Sequence, residues 1–311
     1  MSGATVLEPG GPNAIAVTNG IVGDEWTLWI VQLALTDGLT LYNEWLNAGP
    51  ISNAVLSARL NRLVQNDILT RSDRRYRLTG RGRQLWPVLL SMWAWEQRWV
   101  DPPDGRLPGM RHTRCGRTFS PLMSCEACDG AADVRDVRGR FGPSGDWPRS
   151  IPTGVTRRRA HTGHRPAELI PQTMSLIGNR WSTALLGAAF LGATRFGEFE
   201  QRMGAPPTVV ADRLRTFCDL QVLAAAPNPE RRDWMVYRLT AKGRAFFPVV
   251  ATAIEWGQRW YTAPEGPALR LTHTQCGRAF HPRLRCSDCG ERLRGASVQV
   301  VRGRDERLTA G

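Results

Sequence analysis

From Ile21 to Leu35 apolar side chains crowd a helical rhythm in which Trp26 and Trp29 sit among aliphatics. A shorter stretch, Leu41 to Leu46, reads as a second helix and stops at Asn-Ala-Gly49-Pro50, which is turn chemistry. Ser52 then offers an N-cap for a third helix over 53–65, with Val55, Leu56, Leu60 and Leu63 on its buried side. Ile68–Thr70 and Tyr76–Leu78 read as two strands joined at the charged tip Arg71–Arg75. A long helix follows, with Leu85, Leu89, Met92, Trp95 and Trp99 at three- to four-residue spacing. Helix, short helix, turn, helix, hairpin, long helix is the order of a winged helix-turn-helix.

The order then repeats. Helices are expected at roughly 168–190, 195–203 and 207–219, a hairpin from Val222 to Leu239, and a long helix from Arg244 to Trp260. The offset is 155 at Trp26/Trp181, 154 at Leu69/Leu223 and 161 after the hairpin, so the second wing is seven residues longer. Extra length at an exposed tip costs little. Residues 1–15 read as a loose Gly/Pro-rich leader, and 138–164 as an Arg/Gly/Pro-rich linker carrying Arg157–Arg159, His161 and His164. The expected divisions are therefore 16–102 and 165–263 for the winged helices. The fold class is α+β, mainly α: two tandem winged helix-turn-helix domains, each followed by a small zinc-knuckle or ribbon-like module at 103–137 and 264–304.

Those tails carry the densest chemistry. His112-Thr-Arg-Cys115-Gly-Arg-Thr-Phe119 recurs as His273-Thr-Gln-Cys276-Gly-Arg-Ala-Phe280, and each closes with Cys-x-x-Cys, Cys125/Cys128 and Cys286/Cys289. A His-x2-Cys-x9-Cys-x2-Cys pattern supplies four ligands to a tetrahedral ion when the intervening segment folds back. That reading assigns His112, Cys115, Cys125 and Cys128 to one site and His273, Cys276, Cys286 and Cys289 to the other. Three thiolates and an imidazole favour Zn(II), and iron fits the same cage. Four ligands leave no open position, so both sites are expected to be structural. Cys218 stands outside the pattern and reads as a small buried residue.

Composition narrows the partners. The formal net charge is +13 and the isoelectric point near 10.5, with one lysine, Lys242, among the cationic residues. Such a balance points to a polyanion, nucleic acid before membrane. The longest apolar run, Ala184–Ala193, is too short to span a bilayer. No secretory signal is legible, so a cytoplasmic protein is expected, and its cysteines are expected to be reduced. No nucleophile–base constellation, nucleotide loop or open metal site is present, which argues against an enzyme.

A helix entering the major groove needs short polar side chains in its first turns and cations on its flanks. Ser52, Asn53, Ser57 and Arg59 fit that face in the first unit, with Arg71, Arg74 and Arg75 on the wing. The second unit offers Thr208, Arg213 and Arg215, with Arg231 and Arg232 on its wing, but also Pro206-Pro207 and Asp212. Arg59 and Arg213 read equally well as supports of the helix. Ile177-Gly-Asn-Arg-Trp181-Ser, Arg195-Phe196-Gly-Glu-Phe, Arg213-Leu214, Tyr237-Arg-Leu-Thr240-Ala-Lys-Gly-Arg and Pro248-Val-Val…Trp256-Gly resemble the HxlR-type winged-helix regulators, relatives of the MarR group. Val22-Gly-Asp-Glu-Trp26-Thr, Ile51–Leu60 and Tyr76-Arg-Leu-Thr79-Gly-Arg-Gly-Arg are a weaker version in the first unit. The resemblance implies transcriptional control through double-stranded DNA, usually by a homodimer of single-domain chains. Redox-sensing members carry a cysteine before the first Gly-x-x-Trp motif; Asn13–Gly20 and Pro166–Ser175 contain none.

The expected function is a DNA-binding regulator acting as a single-chain pseudo-dimer, its two heads in successive major grooves and its metal sites bracing each unit. The long Trp-bearing helices could pair with each other within the chain or offer a surface for further homodimerisation. The alternative is a zinc-stabilised module that uses winged helices to dock a protein partner.

Overall fold

The structure, a computed structural model, describes residues 3–100, 107–152, 170–231 and 234–301. The first half runs through helices Ala14–Val22, Glu25–Thr36, Tyr42–Ala48 and Asn53–Gln65, then the hairpin Leu69–Ser72/Arg75–Leu78 and the first long helix, Trp86–Trp99. The second half repeats this as Pro171–Ile177, Arg180–Phe190, Phe196–Met203 and Pro207–Asp219, the hairpin Leu223–Pro227/Met235–Leu239, and the second long helix, Phe247–Trp260. Each expected first helix is two. Asp24 accepts from the Thr27 N–H at 2.9 Å and starts a new helix. Asn179 does the same through the Trp181 N–H at 2.8 Å. The apolar rhythm hides the break because both pieces continue the same buried face.

Two expectations about the connections are corrected. From Gly3 the leader has defined structure: Thr5–Val6 pairs in parallel with Tyr261–Thr262. Asn13, fully buried, caps helix Ala14–Val22 and donates to Ser144 O and Ser150 Oγ. The expected linker is ordered as far as Pro152. Val137–Phe141 pairs antiparallel with Leu269–His273, and a short helix, Trp147–Ser150, sets Trp147 edge-on to Phe141. Glycine and arginine content suggested coil, but a strand partner 132 residues away satisfies the backbone. Arg157–Arg159, His161 and His164 lie outside the described residues.

The halves share one core. Its buried members run from Ile30, Leu56 and Met92 to Leu185, Phe217 and Phe246. The long helices meet there, and each tryptophan reaches across: Trp95 Nε1 donates to Lys242 O and Trp256 Nε1 to Arg81 O, both at 3.0 Å. Trp95 also stands edge-on to Phe246, centroids 4.9 Å apart. Burying an indole removes about 200 Å² from water, worth up to roughly 5 kcal/mol. Each indole hydrogen bond adds only about 1 kcal/mol. Apolar burial therefore holds the halves together, and the N–H bonds fix how they meet.

The tails extend this exchange. Pro121–Cys125 pairs antiparallel with Pro282–Cys286, with Met123 opposite Leu284. Swapping the halves maps that register onto itself, as in an isologous contact. Likewise His273 opposite Val137 is matched by His112 opposite Val298.

Two positions break the symmetry. Glu96 on the first long helix is buried and caps helix Pro171–Ile177, accepting from Gln172 N, Thr173 N and Thr173 Oγ1. Its counterpart is Gly257, where a Cβ would sit 2.0 Å from Thr18 Oγ1. Gly257→Ala should cost about 1–3 kcal/mol in urea unfolding through overpacking. Burial raises the Glu96 carboxyl above its ordinary 4.5, outweighing its hydrogen bonds. The folded state thus binds this proton more tightly, and its contribution falls as pH rises from 4.5 through the folded value. The melting-temperature difference between wild type and Glu96→Gln should accordingly shift against wild type across that window; a parallel pair of profiles contradicts it.

Candidate nucleic-acid interface and metal centres

Helix Asn53–Gln65 begins where Ser52 Oγ accepts from the Val55 N–H at 3.3 Å. Leu56, Leu60 and Leu63 bury one face, which leaves Asn53 and Ser57 exposed on the other. Tyr42, from the preceding helix, reaches Asn53 Oδ1 at 3.0 Å and Ser57 Oγ at 3.1 Å. It presets the two side chains, a role that spacing alone did not single out. Glu44 anchors that preceding helix by accepting from Thr40 N and Leu41 N, and these bonds lower its pKa. Glu198 repeats the device on Thr194 N and Arg195 N.

Arg59 is a support. Its Nε and Nη2 grip the carboxylate of Asp24, 2.9 and 2.8 Å away, and Asp24 is only 4 % exposed. On the first wing Arg71, Arg74 and Arg75 are all exposed, joined by Arg77, which sequence reasoning passed over. Asp73 and Arg74 turn the tip with φ of 49° and 63°. Arg71 lies over the Tyr76 ring, and Arg75 donates to Thr40 Oγ1.

The second head differs. Thr208 and Arg215 are exposed on helix Pro207–Asp219, but Arg213 pairs with the adjacent, exposed Asp212. Arg231 stacks on Trp234, 4.3 Å from the ring centroid; Arg232 lies outside the described residues. Strand Leu223–Pro227 shows Ala224, Ala225 and Ala226 to solvent, and Trp234 and Met235 are 44 % and 40 % exposed. The second wing is more apolar than its two arginines suggested.

In the candidate metal centres the eight expected ligands are brought together, but in the other pairing. His112 and Cys115 converge with Cys286 and Cys289, and Cys125 and Cys128 with His273 and Cys276. In each group the four ligand atoms lie within 4.8 Å of one another. Nδ1 of His112 is 3.5 Å from Cys115 Sγ and 3.3 Å from Cys289 Sγ; Nδ1 of His273 is 3.3 Å from Cys128 Sγ and 3.4 Å from Cys276 Sγ. The within-unit assignment fails because each Cys-x-x-Cys ends a strand that pairs with the other half. Cys125 lies opposite Pro282 and Cys286 opposite Pro121, which carries each cysteine pair to the other half's His-x-x-Cys turn. Spacing could not separate the alternatives, since both give three thiols and one imidazole. The histidines are fully buried, their rings near Phe119 and Phe280. The Arg278 N–H, with His273 beside it, brings the Cys276 thiol down to about 6. Such a donor set could hold a metal ion. Cys218 is half-buried, and burial pushes its thiol up.

Residues 21–104 and 176–265 match the HxlR-like helix-turn-helix family, together more than half of the chain. The chain belongs to that family. An uncharacterised HTH-type transcriptional regulator of Mycobacterium tuberculosis is 35 % identical over 134 residues, 42 % of this chain and 83 % of that protein. One from Mycobacterium bovis is 34 % identical over the same length and shares. The crystal structure of a candidate transcription factor, PA1607, is 32 % identical, covering 48 % of this chain and 99 % of that one at a TM-score of 0.39. Membership of this HxlR-like family points to a DNA-binding regulator, a non-enzymatic class. Among the described residues no helix is long and apolar enough to cross a membrane.

Support and reading roles separate by mutation. Arg59→Ala strands the Asp24 carboxylate and should cost about 1–3 kcal/mol in chemical denaturation, discounted for the arginine's partial exposure. Ser57→Ala should change stability by less than about 0.5 kcal/mol.

Proposed function

We propose that this HxlR-type regulator works as a single-chain pseudo-dimer on double-stranded DNA, its two winged helices entering successive major grooves. The observation that carries the reading is the first head: a helix N-terminus presenting Ser52, Asn53 and Ser57, flanked by a wing with four exposed arginines. Short polar groups there suit base edges, and the wing suits phosphate or the minor groove. The head formed by Thr208, Arg215 and Arg231, with Asp212 beside Arg213, suits phosphate grip more than base reading. The operator is accordingly asymmetric. Affinity should fall steeply with salt, with a log–log slope of about −0.9 per phosphate neutralised, while sequence preference persists. Ser57→Ala should relax preference at one end of the site. Selection of a perfectly symmetric palindrome contradicts the division of labour.

The exposed Trp234, Met235 and alanine-lined strand of the second wing favour a second reading, a zinc-stabilised module that docks a protein. Loss of all DNA binding alongside tight capture of a defined protein partner supports it.

Two Zn(II) ions per chain fit the donor sets, each held by two ligands from either half. The ions add no reaction; they cross-link the halves, and structural zinc is worth on the order of 10 kcal/mol in small domains. The pairing makes a specific prediction for metal content. Cys115→Ser with Cys286→Ser strikes one site and should leave one zinc per chain; Cys115→Ser with Cys125→Ser strikes both and should leave none. The reverse pattern, measured by elemental analysis, restores the within-unit pairing.

A further inference from the structure

A cavity of about 120 Å³ lies where the two halves meet, walled by Val22, Phe141, Trp147, Gly187, Phe190 and Phe247 among others. These come from the first helix, the ordered part of the connection, helix Arg180–Phe190 and the second long helix. None of its lining residues carries a titratable group. Three of its polar side chains are already engaged: Thr18 Oγ1 donates to Ala14 O, Thr183 Oγ1 to Ile177 O and Asn179 O, and Ser150 Oγ to Asp146 O. An ion placed here would lose its hydration with only the Asn19 side-chain amide left to replace it, whereas an uncharged ring would lose little. An apolar cavity of roughly 150 Å³, only slightly larger, stays dry and binds benzene.

Glycine keeps the space open. A Cβ on Gly187 would have only Trp147 nearby, at 3.8 Å, an ordinary contact, so a methyl fits and a longer side chain projects into the cavity. The counterpart on the other side of the long-helix pair is different in kind. It combines Trp86, Trp93 and Met110 with Gln32, Asp37 and Gln299, in a space of about 470 Å³. Helix Arg180–Phe190 forms one wall and also packs on Pro207–Asp219, the second reading helix. A molecule held against Gly187 and Phe190 therefore touches the element on which that head rests.

We propose that this cavity binds one small, uncharged, apolar molecule of single-ring size, and that its occupancy biases the placement of the second head. The second clause rests on the DNA-binding reading above. The probe is toluene, titrated calorimetrically into the full chain, with benzoate as the charged counterpart. Toluene should bind once per chain and benzoate not at all. At ten times the dissociation constant, toluene should raise the melting temperature by about 2–4 °C. Gly187→Ala should weaken binding and Gly187→Leu abolish it, both keeping wild-type circular dichroism. Absence of toluene binding to wild type, or binding undiminished in a folded Gly187→Leu, overturns the site. Saturating toluene should change the dissociation constant for operator DNA by about fivefold or more. Toluene binding with unchanged DNA affinity overturns the regulatory clause. Absence of any DNA binding without toluene counts against the earlier reading and leaves calorimetry to decide the cavity.

Discussion

Much of this molecule depends on one backbone contact, the antiparallel pairing of Pro121–Cys125 with Pro282–Cys286. Its register returns to itself when the halves are exchanged, so a single set of hydrogen bonds positions two groups of three cysteines and one histidine. Each Cys-x-x-Cys follows its strand across and meets a His-x-x-Cys turn of the other half. A one-residue slip would turn every side chain of that strand over and pull the cysteines out of both groups at once. The convergence of the His/Cys groups and the association of the halves are thus one constraint expressed twice.

The helical cores are bound by the same logic at lower chemical cost. Trp95 and Trp256 exchange hydrogen bonds with the turns that open the opposite long helices, at Lys242 and Arg81. Neither half buries its tryptophan without the other. The asymmetry lies in what this shared frame presents. Where the first half puts Glu96, the second has Gly257, and where the first wing carries arginines the second carries alanines, Trp234 and Met235. A duplicated frame leaves each surface free to change alone, which gives the proposed division between base reading and phosphate grip a physical basis.

The sequence conveyed local structure well. The Ser52 cap, the helix 53–65, both hairpins and both long helices follow from periodicity and turn chemistry that act over a few residues. Long-range pairing was not legible. The two His/Cys groups are legible as candidates because His-x-x-Cys and Cys-x-x-Cys are local, but which pairs converge is not, because two copies offer identical donors. Val137–Phe141 read as linker because nothing near it announces a strand; its partner is Leu269–His273. Arg59 stood open between two roles until Asp24, 35 residues upstream, closed around it. Tyr42 went unnoticed as the side chain that presets Asn53 and Ser57 for the same reason, its partners being on another helix.

The halves form one body through paired strands and two shared groups of three cysteines and one histidine. The decisive experiment inserts a protease site between Pro152 and Ile170 and cuts the folded chain there. Native mass spectrometry should find the two fragments still associated one to one, with both metal ions retained. Fragments that separate under the same conditions, each carrying its own ion, would mean two independent halves.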